Sequence, residues 1–269
     1  MGKLIHEELT YEIKSILFDV YNKLGPMLPE EFYERAIGFG LAKRGIPFTA
    51  QEEFHVYYKG VEVGRYRTDL FVDRKVILEL KVAPELLPLH RAQILSYLKV
   101  TGADLGMLVN FGGPSLEDER FPNFLTQRRS EFSWHPAELD KEWLLYPNLV
   151  GVIYEGLHRV HYEMGPGFFH HVYRRATMVE FNDLNIPYEF KRHFDVYYED
   201  NWIGKQECRL LIADDRVLVA PVALKEITEA ERVRFKAHLR RFGLKLGLLA
   251  NFHGTKLSIE PIRIGEYND

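Results

Sequence analysis

The chain is 269 residues long, 46% hydrophobic and 28% charged, a balance that suits a folded protein and excludes a disordered one. Its formal net charge of -4 excludes a uniformly basic nucleic-acid coat but leaves room for a local phosphate-binding groove. A single cysteine, Cys208, excludes an intrachain disulfide and points to a reducing, cytoplasmic setting.

The N-terminus carries charges (Lys3, Glu7, Glu8) where a signal peptide needs an apolar core. No apolar run approaches the roughly 20 residues of a membrane span. Ile13, Ile16, Leu17, Val20, Tyr21 and Leu24 fall at helical spacing, and Gly25-Pro26 stops that helix. A second helix is predicted over 29–43, then a strand over 53–58, a Lys59-Gly60 turn and a strand over 61–72. A strand around Ile77 leads through Pro84 and Pro88 to a helix over 89–101, and a buried strand over 105–111 closes a domain spanning 1–111. Residues 112–147 have no clean period and are rich in charge, proline and aromatics (Phe121, Phe124, Phe132, Trp134, Trp143). They read as a structured connector packing across two domains rather than as a base-stacking platform.

The second domain, 148–269, repeats the first. Gly25, Pro26, Tyr33 and Ala36 recur as Gly165, Pro166, Tyr173 and Ala176, and Val56-Tyr57-Tyr58 as Val196-Tyr197-Tyr198. Leu105-Gly106-Met107-Leu108-Val109-Asn110-Phe111 returns as Leu246-Gly247-Leu248-Leu249-Ala250-Asn251-Phe252. The second copy gains one residue at about its third strand. So long a period means duplicated domains, not a solenoid. Cys208 opens an apolar run over 208–212 and reads as packing rather than as a nucleophile.

In the strand around Ile77, side chains alternate. Val76, Leu78, Leu80 and Val82 make one apolar face, while Ile77, Glu79 and Lys81 make the other. Two charges in an apolar strand are costly unless paired or wet, so that face either meets water at an edge or lines a polar cleft. Asp69 is predicted within the preceding strand. Gln93 and Tyr97, four apart, share a helix face, as do Glu30 and Tyr33, three apart.

On Gly25 through Tyr33, Asp69, Glu79-Leu80-Lys81, Gln93 through Tyr97 and Asn110-Phe111, the chain resembles the GxxExxY proteins of the PD-(D/E)xK nuclease superfamily, with the Gln-x-x-x-Tyr element of its RecB-like branch. The resemblance implies an α/β fold: two tandem restriction-endonuclease-like domains, each a mixed central sheet flanked by helices. It also implies a divalent-metal-dependent nuclease acting on nucleic acid, with DNA the expected substrate. Glu30, Asp69, Glu79 and the Leu80 carbonyl would hold Mg2+ or Mn2+, for which hard oxygen ligands are suited. Lys81 would position or activate the attacking water and offset charge on the phosphorane, and Gln93 and Tyr97, the rest of the catalytic set, would bind the phosphate backbone or support the metal ligands. Tyr33, Arg65 and Arg67 are candidate nucleic-acid contacts, the bland reading of the arginines being solvated surface. His90 is either a further ligand or a surface histidine at a helix start. One departure is Met27, where the family favours glycine. The second copy keeps Gly167 there, and a minor effect on the start of the helix is expected.

The second copy serves as an internal control. Glu30 corresponds to His170, Asp69 to Arg209, Glu79 to Ala220, Lys81 to Val222, Gln93 to Arg234 and Tyr97 to His238. The apolar framework survives while the polar constellation is gone, so those groups are not needed for the fold. Pro221 is expected to disturb the pairing of its strand. Arg209, Arg234 and Arg241 are predicted to form a basic face that holds nucleic-acid backbone; the competing reading is a surface helix whose arginines pair with Glu226, Glu229 and Glu231. The duplication leaves a monomeric pseudo-dimer and a homodimer both open. The alternative to a nuclease is a non-catalytic nucleic-acid-binding or scaffolding protein. Another phosphoester hydrolase is a third reading, since metal and lysine chemistry does not specify the leaving group.

Overall fold

The structure, a computed structural model, describes residues 4–125, 132, 134–135, 139 and 142–265. The chain divides into two compact units, residues 1–56 with 64–127, and residues 57–63 with 128–269. Among the described residues no helix is long and apolar enough to cross a membrane.

In the first unit, α1 (Glu7–Leu24) presents Ile13, Ile16, Leu17 and Val20 as one buried stripe. Gly25 ends it at φ 72°, extended in ψ, a backbone that favours glycine, and its N–H donates to the Tyr21 carbonyl at 2.8 Å. After α2 (Glu30–Lys43) come β1 (Phe48–Ala50), β2 (Glu53–Tyr58), β3 (Val61–Arg67), β4 (Leu70–Val72) and β5 (Val76–Lys81). Then follow α3 (Pro88–Thr101), β6 (Leu105–Asn110) and β7 (Glu117–Pro122). The sheet order is β1-β4-β5-β6-β7. β5 and β6 are parallel, joined by the α3 crossover, and the other pairs are antiparallel. The core gathers the α1 stripe, Tyr33, Ile37 and Leu41 against Val76, Leu78 and Leu80 of β5 and Leu105, Met107, Val109 and Phe111. The apolar face expected for β5 is therefore core.

Two details differ from the sequence expectation. The strand expected over 61–72 is broken, with β3 ending at Arg67 and β4 starting at Leu70, so Asp69 stands in a bend between strands, not within one. The partner chain breaks opposite: Gln51 is left-handed, φ 54°, and its N–H donates to the Asp69 carbonyl at 3.0 Å. In addition, β7 lies in the stretch expected to be connector. Glu117-Asp-Glu-Arg-Phe-Pro122 has no alternation to announce it, yet it pairs antiparallel with β6 along its whole length. Of the connector aromatics, Phe121 is in β7, while Phe132 and Trp134 pack on His158 at centroid distances of 6.3 and 5.7 Å. Residues 126–131, 133, 136–138 and 140–141 of the connector lie outside the described residues.

The second unit has α4 (Pro147–Met164), α5 (His170–Asp183), β8 (Tyr188–Tyr198), β9 (Asn201–Ala213), β10 (Val217–Val222), α6 (Glu229–Arg241), β11 (Leu246–Asn251) and β12 (Ser258–Arg263). Its sheet order is β8-β9-β10-β11-β12, with β10 and β11 parallel as β5 and β6 are. β8 and β9 run unbroken where the first copy is cut twice.

The shared framework is held by the same devices in both copies. A Cβ on Gly106 would stand 2.5 Å from Ile94 of α3, and one on Gly247 2.5 Å from Phe235 of α6, so each crossover helix packs directly on a glycine of the central strand. Asn110 is buried; its Oδ1 accepts from the N–H groups of Ala83 and Gly112, and its Nδ2 donates to the Ala83 carbonyl. Asn251 does the same with Leu224 and His253. Pro221 does not disturb the β10–β11 ladder, whose register continues through it to Val222 and Asn251.

Candidate active site

The parallel β5–β6 pair fixes where the strand's charged face points. Ile77, Glu79 and Lys81 are on the side opposite the α1–α2 core, the side that α3 covers. Glu79 is 1% exposed. Its Oε1 accepts from Lys81 Nζ at 2.5 Å, while its Oε2 is buried with no hydrogen-bond partner among the described residues. Lys81 Nζ also donates to the Leu80 carbonyl at 3.0 Å. Asp69 is held from the bend by its side chain, Oδ2 accepting from the Leu80 N–H at 2.7 Å.

Both acids are pushed toward their protonated forms. Burial first, then the neighbouring Asp69 charge, raises Glu79 to about 8 against the relief given by Lys81. Burial raises Asp69 to about 6, with the Leu80 N–H and Lys81 opposing and Glu30 and Glu34 adding to the rise. Two carboxylates that repel each other in a dry site, one with an orphaned oxygen, lack positive charge.

The other expected site residues fall at different distances from this pair. Glu30 is exposed at the start of α2, and its Oε1 accepts from the Val82 N–H at 3.3 Å. Its charge is felt by Asp69 and Glu79, but among the described residues no group of three or more His, Cys, Asp or Glu is placed to hold a metal ion. Tyr97 is buried on α3, and its hydroxyl accepts from Gln93 Nε2 at 2.8 Å. Its ring meets Tyr66 edge-on at 5.9 Å. Burial, followed by the Glu79 charge, holds the Tyr97 phenol above its ordinary value. His90 accepts from the Leu87 N–H through Nδ1 at 3.2 Å, so that nitrogen closes the first turn of α3. Arg65 and Arg67 are exposed on β3, alternating with the buried Tyr66, on the strand that leads into Asp69.

Tyr33 is not a nucleic-acid contact. It is fully buried, stacked on Phe111 at 4.1 Å, and its hydroxyl donates to the Gly25 carbonyl at 2.7 Å while accepting from the Leu28 N–H. Tyr173 repeats this with Phe252, Gly165 and Phe168. A group kept in both copies with the same partners belongs to the fold. Of the basic residues expected to hold nucleic-acid backbone, Arg209 lies on β9; on α6 Arg234 pairs with Glu231 at 2.6 Å, as the competing reading has it, and Arg241 lies over the Phe194 ring at 4.4 Å. Arg232 pairs with Glu260, as Arg91 does with Glu119.

The second copy has lost the site down to its backbone. β10 aligns with β5 so that Val217–Leu246 repeats Val76–Leu105, and Pro221 therefore occupies the place of Leu80. The N–H that holds Asp69 does not exist there. The strand register also moves the counterpart of Asp69. Leu210 pairs with Lys191 as Asp69 does with Gln51, which leaves Arg209, at φ 53°, as the residue that the second copy gained.

Hard oxygen donors, an orphaned carboxylate oxygen and raised carboxylate values fit a divalent cation such as Mg2+. That ion is commonly held by one or two carboxylates, with water and substrate phosphate supplying the rest.

A family model described as the PD-(D/E)XK nuclease superfamily matches residues 7–121 and 147–264. No curated protein matches the chain. Among solved structures, one titled "Crystal structure of SSO0001" is 17% identical, with a TM-score of 0.29, over 44% of this chain. The chain spans 59% of that structure's length.

Proposed function

Since the chain belongs to the PD-(D/E)XK nuclease superfamily, we propose that its first unit is a divalent-metal-dependent nuclease with a single hydrolytic site, acting on DNA. The observation that carries this is the buried, unpartnered Oε2 of Glu79 beside Asp69 and Lys81, a costly group to keep unless it has a ligand. Its loss from the second copy, whose fold is otherwise the same, supports a role in chemistry rather than in stability.

Asp69, Glu79 and the Leu80 carbonyl would hold Mg2+ or Mn2+, with Glu30 as a further carboxylate toward the ion. When bound, the cation polarises the phosphate and makes water a stronger acid. The Leu80 N–H fixes the Asp69 carboxylate, so that its free oxygen is presented in one orientation. Lys81, paired with Glu79 in this structure, would orient the attacking water and offset charge on the phosphorane. Gln93 and Tyr97, locked to each other, bind a phosphate oxygen at the α3 side. Arg65 and Arg67 meet flanking phosphates along β3.

The test is cleavage of single- and double-stranded DNA and RNA with Mg2+ or Mn2+, comparing wild type with Asp69→Ala and Lys81→Ala. The expected result is metal-dependent cleavage of DNA, reduced about a hundredfold or more by either change. Cleavage that survives both changes would overturn the assignment. Salt-sensitive binding with no cleavage would transfer it to a non-catalytic nucleic-acid-binding protein.

A further inference from the structure

The second unit did not simply lose its acids. Counting 140 residues along from the first copy, Glu30, Glu31, Glu34 and Glu52 become His170, His171, Arg174 and Arg192. Next to Leu210, the counterpart of Asp69, the inserted residue is Arg209. Acid has been replaced by base at four positions on α5 and β8, and a further base has been added on β9, the elements that correspond to those around the first site. A drift to neutrality would scatter polar and apolar residues. This pattern reverses the sign.

The reversed residues meet in one place. A cavity of about 440 Å³ is lined by His171, Arg174, Arg175, Arg192 and Arg209, with Phe190 on its wall. Arg174 is 6% exposed, and among the described residues no carboxylate bonds to it. Its guanidinium lies over the Phe190 ring at 5.3 Å. Among the described residues Glu207 is the acid whose charge reaches it, and Glu207 is paired with Arg209 at 2.6 Å. Among the described residues Arg175 donates to the Val63 carbonyl at 3.5 Å and to no carboxylate. A buried guanidinium without an anion is costly, and the cavity in front of it is open to an anion.

We infer that this cavity is a binding site for a phosphomonoester, the dianionic end group of a nucleotide or of a 5′-phosphorylated strand, seated on Arg174 with Arg192 and Arg209 at the rim. A terminal phosphate can enter end-on and reach a buried cation, which a diester inside a backbone cannot do. Arginine forks match phosphate oxygens two at a time, and a cavity of this size holds a nucleotide-sized group, with Phe190 beside it. The positive field is consistent with the titration of its members. Burial, then Arg209 and Arg175, lowers Arg174 to about 10. Burial, then His170 and the arginines, lowers His171 to about 4. The site does not depend on cleavage in the first unit, so either assignment can fail without the other.

The test is binding in EDTA, where no metal-dependent cleavage occurs. Fluorescence anisotropy compares one short DNA strand with a 5′-phosphate and with a 5′-hydroxyl, and AMP and inorganic phosphate are titrated as competitors. The phosphorylated strand is expected to bind about tenfold more tightly or better. Arg174→Met, which removes the buried charge and keeps its volume, should abolish that preference. Arg192→Glu with Arg209→Glu, both at exposed positions, should do the same without touching the core. Displacement by AMP identifies a nucleotide as the occupant, and displacement only by phosphorylated strands identifies a strand end. Equal affinity for the two strands with no competition by AMP or phosphate, or a preference that survives both variants, overturns the site.

Discussion

At the scale of single residues, the strongest consequence of the site is that its acids oppose folding. A carboxylate whose folded value is raised contributes stability that is complete below its unfolded value and lost as pH rises through the folded one. For Asp69 that window runs from 3.8 to about 6. Asn at this position keeps an oxygen for the Leu80 N–H and removes the charge. Asp69→Asn should therefore raise metal-free stability at pH 9 by about 1–3 kcal/mol, measured by denaturant unfolding in EDTA, while abolishing cleavage. A loss of stability would mean that the carboxylate is a structural group. Met27 gives a second case. It stands where the second copy has Gly167, and it adopts φ 70° with an exposed side chain. Left-handed geometry costs a residue with a Cβ about 1 kcal/mol. Met27→Gly should stabilise the protein by about that amount in the same unfolding assay.

At the scale of elements, legibility followed periodicity and failed where tertiary pairing overrides it. The alternation of β5 and the helical stripe of α1 could be read directly, because each buries one continuous face. β7 could not, since Glu117-Asp-Glu-Arg-Phe-Pro122 is a half-buried edge strand whose only claim to strand geometry is its partner β6. The break at Asp69 has no glycine or proline to mark it; it follows from the left-handed Gln51 across the hairpin. Tyr33 was read as a binding residue because helix spacing put it beside Glu30, whereas its burial against Phe111 is a long-range fact. The cavity arginines were legible in principle: comparing the copies for changes of sign would have found Arg174 and Arg192. The repeated Leu-Gly element carries a prediction of its own. Gly106→Ala and Gly247→Ala each push a methyl to 2.5 Å from the crossover helix, and each should cost about 1–3 kcal/mol. Hydrogen exchange should show the loss in the unit that bears the substitution and not in the other.

At the scale of the whole molecule, duplication followed by reversal of charge gives the two units opposite responses to pH. In the first unit, Glu79 is raised from 4.5 to about 8 and Asp69 from 3.8 to about 6. The native state there binds more protons than the unfolded chain, so stability falls as pH rises from 3.8 to about 8. In the second unit, burial lowers His158 and His171 from 6.5 to about 4. A depressed histidine contributes stability that is complete above 6.5 and lost as pH falls through about 4, because the unfolded chain then binds the extra proton. Hydrogen exchange resolved by peptide, with intrinsic rates corrected for pH, should show the slowest amides of β5 and β6 better protected at pH 5 than at pH 8 in EDTA. Those of β10 and β11 should show the reverse. Millimolar Mg2+ should remove the difference in the first unit, because a bound cation favours the ionised acids, and should leave the second unit unchanged. Parallel responses in both units would mean that the acids and histidines do not govern the pH dependence of their own sheets.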